Sequence, residues 1–410
     1  MLGARLEMPM SEFTTDPRLS RAAPKKPLTL SWSDPRVRNI VWQAVVLGIV
    51  ALLILFLVSN TQRNLAARHI ATGFDFLDRV ASIPIGEHIL AYDPAINDYG
   101  RALIIGLLNT LRVAMVGIFF ATILGTIVGV GRLSKNWLIA KLTAVYVEVV
   151  RDIPVLLQLL FWYTVLQGLP VAKQSFHPLP GVFLSNRGFK IPLVEWEQPF
   201  WWALLALVIG AGATWAYSKA ATRKQEATGV RPKIWPVALG FLAVLPVAVW
   251  AVLGAPWQVD WPQQGGFNIT GGATLSPEYF ALTFGLTVYT AAYIAEIVRS
   301  GILAVPSGQW EAAGAIGLRP GTVLRKIVLP QALRVIIPPM TSQYLNLTKN
   351  SSLAVAIGFQ DLVSITQTTL NQTGQAIEGV FTSMVPYLII SLSISGLMNW
   401  YNARIALVER

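Results

Sequence analysis

Three scarcities narrow what the chain can be. Its 410 residues include no cysteine, which excludes disulfides, thiolate metal sites and thiol nucleophiles. Only 13% of the residues are charged against 54% hydrophobic, and the mean hydropathy is +0.53, outside the usual balance of a soluble domain. The three histidines, His69, His88 and His177, lie far apart and match no metal-ligand spacing. The sequence therefore favours a bilayer protein without a metal site.

The net charge of +11 is carried by lysines and arginines that flank apolar runs. This placement follows the positive-inside rule for cytoplasmic loops and does not suggest a nucleic-acid-binding face. The first 39 residues are polar and basic, and they lack the form of a cleaved signal peptide. We therefore predict a cytoplasmic N-terminal tail at 1–39, followed by an extra first transmembrane helix at 40–59.

Uncharged runs of about 20 residues are long enough to cross a bilayer as helices. Counting them predicts an all-α polytopic membrane protein with about eight transmembrane helices and both termini cytoplasmic. Parity places the acidic segment 60–100 in the periplasm and the segment 304–333 in the cytoplasm. After the first span, the predicted spans are Val113–Gly131, Thr143–Leu169, Pro199–Tyr217, Ile234–Gly254, Tyr279–Ala295, Val335–Gly358 and Phe381–Tyr401.

A short segment with small and charged residues, EAAGAIGLRPGTVLRKIVLP at 311–330, separates the sixth and seventh predicted spans. Its start predicts a helix of about two turns with Ser307 as N-cap, which a Pro–Gly pair then breaks. Thr322–Leu329 predicts a second short helix that ends at Pro330. We name residues 304–333 the elbow; amphipathicity alone favours an ordinary interfacial helix-turn-helix.

The spacing within the elbow resembles the EAA motif in permease subunits of binding-protein-dependent ABC importers. In this motif three residues separate Glu-Ala-Ala from a glycine, and nine residues separate that glycine from Ile-x-Leu-Pro. The matching positions, which the resemblance implies contact an ATPase, are Glu311, Ala312, Ala313, Gly317, Ile327, Leu329 and Pro330.

Further stretches are similar to the branch of this family that imports polar amino acids, namely 106–114, 148–163, 293–318 and 344–362. Asp152 departs from the pattern, which commonly has a small residue there. The resemblance implies the transmembrane domain of a type I ABC importer, divided into a first part at 101–168 and a second part at 276–405. The chain also resembles a longer subgroup for general L-amino acid uptake, because of its additional first helix and an insertion with two transmembrane helices at 169–275. A C-terminal tail at 406–410 completes the predicted organisation.

The chain contains no Gly-Lys dipeptide and hence no Walker A loop for a nucleotide. The resemblance therefore implies a non-catalytic subunit that binds no cofactor itself and depends on a separate ABC ATPase dimer for ATP and Mg²⁺. It also implies a periplasmic amino-acid-binding protein and a location in the bacterial inner membrane. A second homologous permease is the expected heterodimer partner, with a homodimer left open.

Polar groups inside apolar spans are costly, and by default they face a bundle interior or a cavity. A zwitterion could be held by one cationic group, one anionic group and nearby amides. Snorkelling, local pairing and helix-end anchoring are the alternative roles for such residues. The candidates for a substrate path are Arg151, Gln158, Glu296, Lys349, Asn350 and Ser351.

Two other classes of function compete with the permease. An ion-coupled secondary amino-acid transporter would place paired carboxylates or broken helices at mid-membrane, and no acidic residue lies near the middle of a predicted span. An intramembrane enzyme would need a motif such as HExxH or GxSxG, which the sequence lacks. The GxxxG match at 125–129 is interpreted as a packing surface, with the partner permease as one candidate neighbour.

Overall fold

The computed structural model describes residues 35–67, 72–230, 232–266 and 268–405. Most of the predicted N-terminal tail and the predicted tail 406–410 lie outside these ranges. The chain divides into two units, Met1–Thr72 and Gly73–Arg410. The described part of the first unit is a single helix, α1 (Pro35–Ala67). This helix contains the predicted first span, and its middle is apolar and exposed on all sides, as expected of a helix surrounded by lipid.

The second unit is mostly helical, which agrees with the predicted fold class. Its helices are α2 (Tyr99–Gly131), α3 (Trp137–Asp152), α4 (Val155–Gln167), α5 (Gln198–Thr228), α6 (Trp235–Leu239), α7 (Leu245–Val252), α8 (Pro277–Leu303), α9 (Ser307–Ala315), α10 (Pro320–Val323), α11 (Leu329–Asn350), α12 (Leu362–Thr373) and α13 (Ala376–Ile405).

Six described helices are long and apolar enough to cross a membrane, and they contain most of the predicted first, second, fourth, fifth, sixth and eighth spans. They are Val37–Ala67, Tyr99–Gly131, Gln198–Thr228, Trp235–Val252, Pro277–Leu303 and Ala376–Arg404. The fourth of these consists of α6 and α7, which the π-helical turn Gly240–Val244 joins. Helix α5 extends well beyond Tyr217, so much of the basic segment 218–233 between the predicted fourth and fifth spans is helical.

The predicted third span, Thr143–Leu169, is wrong as one continuous helix. The structure divides it into α3 and α4 at Ile153 and Pro154, where Ile153 adopts an extended conformation with φ −93° and ψ 127°. The residue before a proline is sterically disfavoured in the helical region, and proline itself has no N–H for the preceding turn. Pro154 therefore accounts for the break.

The predicted seventh span and the end of the helix before it also need correction. The helix does not stop at Pro330, because α10 continues through a π-helical turn at Leu324–Val328 into α11. The wider turn lets the N–H of Leu329 donate to the carbonyl of Leu324 just before the proline, which has no N–H to donate. After Asn350 a 3₁₀ helix, Ser351–Ile357, leads to Gly358, whose φ of +80° ends it.

Short strands form in the segments that flank the inserted helices, although the predicted fold class is all-α. The main sheet is antiparallel and consists, in spatial order, of Phe176–Leu179, Val182–Ser185, Gly188–Ile191 and Ala273–Leu275. Phe189 in it pairs with Leu275 just before α8. We call this sheet and the two small strand pairs beside it the β-cap. Its strands are β1 (Phe176–Leu179), β2 (Val182–Ser185), β3 (Gly188–Ile191), β4 (Leu193–Val194), β5 (Val259–Asp260), β6 (Gln263–Gln264), β7 (Ile269–Thr270) and β8 (Ala273–Leu275).

The core of the second unit lies where α2 crosses α8. A Cβ atom added to Gly125 would lie 2.6 Å from Cβ of Ile294, and one added to Gly129 would lie 2.6 Å from the carbonyl oxygen of Ala295. Real Cβ atoms do not approach other atoms so closely, so the two glycines allow the helix backbones to meet. The GxxxG surface therefore packs within this chain, which corrects the suggestion that it faces a partner permease.

Candidate functional site

The first helix of the elbow is α9, which begins three residues after Ala304, the residue that caps the end of α8. Pro306 occupies the N-cap position without a side-chain hydrogen bond, and Ser307 is the first residue of the helix. The predicted N-cap at Ser307 is therefore wrong by one position. The side chain of Gln331 in α11 links this helix to α9, because its amide nitrogen lies 3.5 Å from Oε1 of Gln309. The same nitrogen lies 3.0 Å from the carbonyl of Ile327, one turn earlier in the π-helical turn that leads into α11.

Gly317 turns the chain between α9 and α10. Its φ is +75°, and its N–H donates to the carbonyl of Gly314 at 2.9 Å. The next N–H, from Leu318, donates to the carbonyl of Ala313 at 3.1 Å. This pair of bonds defines a Schellman motif, in which a left-handed residue ends a helix. A Cβ at Gly317 would meet nothing within 4 Å, so the position favours glycine for its backbone conformation and not for lack of space.

The elbow has a buried side and an exposed side. Ala313, Val323 and Val328 belong to the main hydrophobic core. Ile316, in contrast, is 74% exposed. Leu324 and Leu329 in the elbow are exposed as well, at 42% and 40%. Exposed aliphatic side chains beside small residues are suited to burial against another protein. The remaining motif positions are exposed or half-buried: Glu311, Ala312, Gly317, Ile327, Leu329 and Pro330.

The candidates for a substrate path fall into separate groups. Glu296 on α8 forms an ion pair with Arg132 at the end of α2, and a second one with Arg299 at 2.7 Å. Arg151 at the end of α3 places its guanidinium 5.0 Å from the ring centroid of Tyr293. Since Tyr293 and Glu296 are three residues apart on one helix, Arg151 and Glu296 belong to the same polar region.

Gln158 lies beside this region and satisfies the backbone at the α3–α4 break. Its side-chain nitrogen donates to the carbonyl of Val150 at 2.8 Å and to that of Ile153 at 2.9 Å. These carbonyls lost their helical partners at Pro154, so the buried amide replaces the missing bonds.

The last three candidates lie where α11 changes into the 3₁₀ helix. Lys349 is exposed, Asn350 is half-buried and Ser351 is fully buried. The Ser351 hydroxyl donates to the carbonyl of Thr348 at 2.7 Å. Within the described residues, no side-chain hydrogen bond links these three residues to Arg151, Gln158 or Glu296, so the structure does not join all six candidates in one site.

A polar cavity of about 580 Å³ was missed by sequence reasoning. We call it the polar chamber. Asn109 in α2 is completely buried there, and its amide nitrogen donates to the carbonyls of Glu87 and Gln360, both at 2.9 Å. The polar lining of the chamber includes Glu87, His88, Asn109, Arg112, Glu278 and Gln360.

An ion pair holds one wall of the polar chamber. Nη1 of Arg112 lies 2.8 Å from Oε2 of Glu87, whose other oxygen accepts the N–H of Ser276 at 2.6 Å. The guanidinium also lies 4.0 Å from the ring centroid of Tyr279. The sequence carried a partial signal, because Asn109 and Arg112 are polar residues spaced by three inside an apolar helix. The predicted second span begins at Val113, so it leaves both residues outside.

Comparisons with known proteins agree with the motif in the elbow. Residues 234–407 match the family model described as the inner membrane component of binding-protein-dependent transport systems. The general L-amino acid transport system permease protein AapQ of Rhizobium johnstonii is 48% identical over 92% of this chain and 94% of its own length. The permease protein YhdX of Escherichia coli is 47% identical over 93% of this chain and 98% of its own length.

A third relative is the glutamate/glutamine/aspartate/asparagine transport system permease protein BztB of Rhodobacter capsulatus. It is 41% identical over 92% of this chain and 96% of its own length. The similarity to these three proteins therefore includes the inserted helices and the β-cap, and not only the part matched by the family model.

Proposed function

The chain belongs to the inner membrane components of binding-protein-dependent transport systems, and from this premise we propose that it forms part of an amino-acid path driven by a separate ATPase. The protein is a multi-pass permease subunit. The substrate class is proposed from the printed names of the relatives, which include general L-amino acids and four acidic or amide amino acids. The energy source is an ABC ATPase dimer that uses ATP and Mg²⁺.

The observation that carries the proposal is the exposed elbow. Ile316 and the small motif residues beside it form a surface that the described part of the chain leaves uncovered. Small side chains allow a partner backbone to approach closely, and the carboxylate of Glu311 offers one fixed charge. These features suit insertion of the elbow into a groove of the ATPase.

The same elbow is connected to the core in a way that suits force transmission. Its buried residues Ala313, Val323 and Val328 pack in the cluster that also contains α8 and α11 residues. Because α10 continues into α11 without a break, displacement of the elbow moves a long helix and not a loop. Rigid-body movement of packed helices is the usual basis of alternating access.

The proposed assembly has a defined orientation. Both termini and the elbow lie in the cytoplasm, whereas 60–100 and the β-cap lie in the periplasm, where a binding protein delivers the amino acid. A second homologous permease completes the path as a heterodimer partner. The groups assigned to the path are Arg151, Gln158, Glu296, Lys349, Asn350 and Ser351, of which Gln158 and Glu296 act by shaping the α3–α4 break and the α2–α8 contact.

Single cysteines can test contact and sidedness together, because the chain has none of its own. Ile316→Cys places a thiol on the elbow, and Leu179→Cys places one at a site in the β-cap that is 64% exposed. In the assembled transporter we expect Ile316→Cys to crosslink to the ATPase and Leu179→Cys not to do so. In spheroplasts, a membrane-impermeant maleimide is expected to label only Leu179→Cys.

Both variants must support amino-acid uptake before crosslinking for the comparison to be valid. The proposal would be refuted if Ile316→Cys reacted with the impermeant maleimide. It would also be refuted if Ile316→Cys stayed free of the ATPase in every nucleotide state of a transporter that still imports amino acids.

A further inference from the structure

The polar chamber contains charges of both signs in a fixed arrangement. The Glu87–Arg112 pair is largely shielded, with side chains 12% and 26% exposed, respectively. Glu87 uses both carboxylate oxygens, one for Arg112 and one for the N–H of Ser276. This pair is therefore built into the wall and does not need to rearrange in order to present Arg112 to a ligand.

Arg112 retains bonding capacity on this wall. Only Nη1 donates a hydrogen bond to a described residue, so Nε and Nη2 have no such partner in the described chain. The Tyr279 ring restricts the guanidinium from one face at 4.0 Å. The Nε and Nη2 donors of this positioned guanidinium can bind one carboxylate through two parallel hydrogen bonds.

Glu278 supplies the opposite charge from the first turn of α8. Its Oε1 accepts the hydroxyl of Tyr163 at 3.1 Å. Among the described residues no cationic side chain lies within ion-pair distance of it. The carboxylate therefore keeps a second oxygen for a cationic ligand, such as an ammonium group with its three donors.

Asn109 adds to the lining of the chamber a buried amide whose oxygen is unpartnered among the described residues. The residue is completely buried, its nitrogen is fixed by two carbonyls, and its Oδ1 has no hydrogen-bond partner in the described chain. A buried polar atom without a partner costs free energy unless a ligand or water satisfies it. Asn109 lines the same chamber as Arg112 and Glu278.

We propose that the polar chamber is a binding site for a zwitterionic α-amino acid, with the ligand carboxylate on Arg112 and the ligand ammonium on Glu278. The inference rests on the proposed function for its choice among zwitterions. It adds a site separate from the six path candidates. The site is composed of the loop before α2, the outer half of α2, the start of α8 and the segment after the 3₁₀ helix.

The charge balance of the chamber favours a zwitterion over a simple anion. Glu87, Arg112 and Glu278 together carry one net negative charge, so a free carboxylate would meet Arg112 only at the cost of repulsion from Glu278. A simple amine would leave the spare donors of Arg112 unused. An α-amino acid offers a carboxylate to Arg112 and an ammonium to Glu278, and it adds no net charge.

Photolabelling can locate the site in the intact transporter. The probe is L-photoleucine, an α-amino acid that carries a diazirine, applied to the complex of this chain with its second permease and ATPase in nanodiscs. No binding protein is added. Irradiation and peptide mapping are expected to place label on 86–89, 109–112, 274–278 or 358–360.

Two variants and one altered probe examine the chemistry. Glu278→Gln retains a partner for Tyr163 and is expected to lower the labelling about tenfold, the order expected for loss of a charged hydrogen bond. Asp78→Asn removes an exposed carboxylate from the segment before α2, which also contains Glu87, and is expected to leave labelling unchanged. Arg112→Lys keeps the charge beside Glu87 and removes the fork, so it is also expected to lower labelling. N-acetyl-photoleucine, which has no ammonium, is expected to label poorly.

The inference is overturned if label falls outside these segments, if Glu278→Gln and Asp78→Asn label alike, or if the acetylated probe labels as well as the free amino acid. Amino-acid uptake by the unmodified complex with its binding protein separates the two proposals. Uptake without label in the chamber removes this inference and leaves the proposed function intact. Absence of uptake counts against the proposed function, and the labelling pattern still decides the chamber.

Discussion

At the scale of single residues, Asp361 shows how an ionisable group is tolerated inside this unit. It is completely buried before α12, where Oδ1 accepts the N–H of Ser364 at 2.8 Å and Oδ2 lies 3.3 Å from the hydroxyl of Tyr387. Burial disfavours the charged form and raises the pKa of Asp361 to about 6, although these hydrogen bonds act in the opposite direction.

This raised pKa predicts a pH-dependent stability. The folded chain binds the Asp361 proton more tightly than the unfolded chain, so stability falls as pH rises between the unfolded pKa and about 6. On going from about pH 7.5 to about pH 5 we expect this group to add about 1 kcal/mol. Asp361→Asn should lose that increment while it keeps the helix cap, as measured by thermal unfolding of the detergent-solubilised protein at both pH values.

Asp75→Asn removes a carboxylate that is exposed to solvent, and it is the control for the general effect of pH. If the melting temperatures of the parent chain and Asp361→Asn change equally between the two pH values, the buried carboxylate is not the source.

Gly317 gives a second prediction at this scale. Gly317→Ala forces an L side chain into the left-handed region at a cost of about 1 kcal/mol. The elbow should then lose its preferred turn, and ATPase stimulation by substrate-loaded binding protein should fall. Gly317→Asn, which tolerates this conformation better, should recover part of the activity.

Gly314→Ala is the matched control for the turn. Gly314 is helical and has open space around it, so alanine fits without strain. Equal coupling in Gly317→Ala and Gly314→Ala would show that the left-handed turn is not required.

At the scale of elements, the contact of α2 with α8 depends on glycine. Gly125→Ala would bring a methyl group 2.6 Å from Cβ of Ile294 and 2.8 Å from the carbonyl of Ala291. The helices must separate locally, and we expect a loss of about 1 to 3 kcal/mol, measured as a lower melting temperature in detergent.

Gly212→Ala is the control for this contact, because Gly212 on α5 has nothing within 4 Å of the added atom. Alanine is also the better helix former, so this variant should be neutral or slightly stabilising. An equal loss in both variants would argue against close α2–α8 packing as the cause.

The elements also show where reasoning from sequence succeeds. Long uncharged runs predicted the regions of α1, α2, α5, α8 and α13, because apolar length is a local property. The break at Pro154 had a local signal as well, but the apolar run on both sides concealed it. The continuation of α10 through Pro330 could not be expected, since a π-helical turn accommodates a residue that usually ends a helix.

At the scale of the whole molecule, the features that were missed depend on distant segments. The polar chamber joins residues near 87, 109, 278 and 360, and no local periodicity records which of them meet. Strand β3 pairs with β8 across the inserted helices α5, α6 and α7. These two strands are therefore distant in sequence, and such short strands give no local signal of their own. The motif in the elbow was recognisable because its residues are contiguous, although its contact with an ATPase remains a prediction.

The whole chain also gives a prediction about energy supply. Since it has no Walker A loop, we expect the purified chain alone to show no ATP hydrolysis above background, and activity to appear only after the ATPase subunit is added. Phosphate release is measured across a size-exclusion profile. Hydrolysis that follows the peak of the isolated chain would contradict the subunit assignment.

The small pair of β4 and β5 has a consequence for how the inserted helices join the rest of the unit. Leu193 pairs with Asp260, and the N–H of Glu195 donates to the carbonyl of Gln258 at 2.9 Å. Residues 193–195, which lead into α5, thus lie beside residues 258–260, which follow α7. Because the two ends of the segment 196–257 are held side by side, α5, α6 and α7 leave and rejoin the rest of the unit at one place.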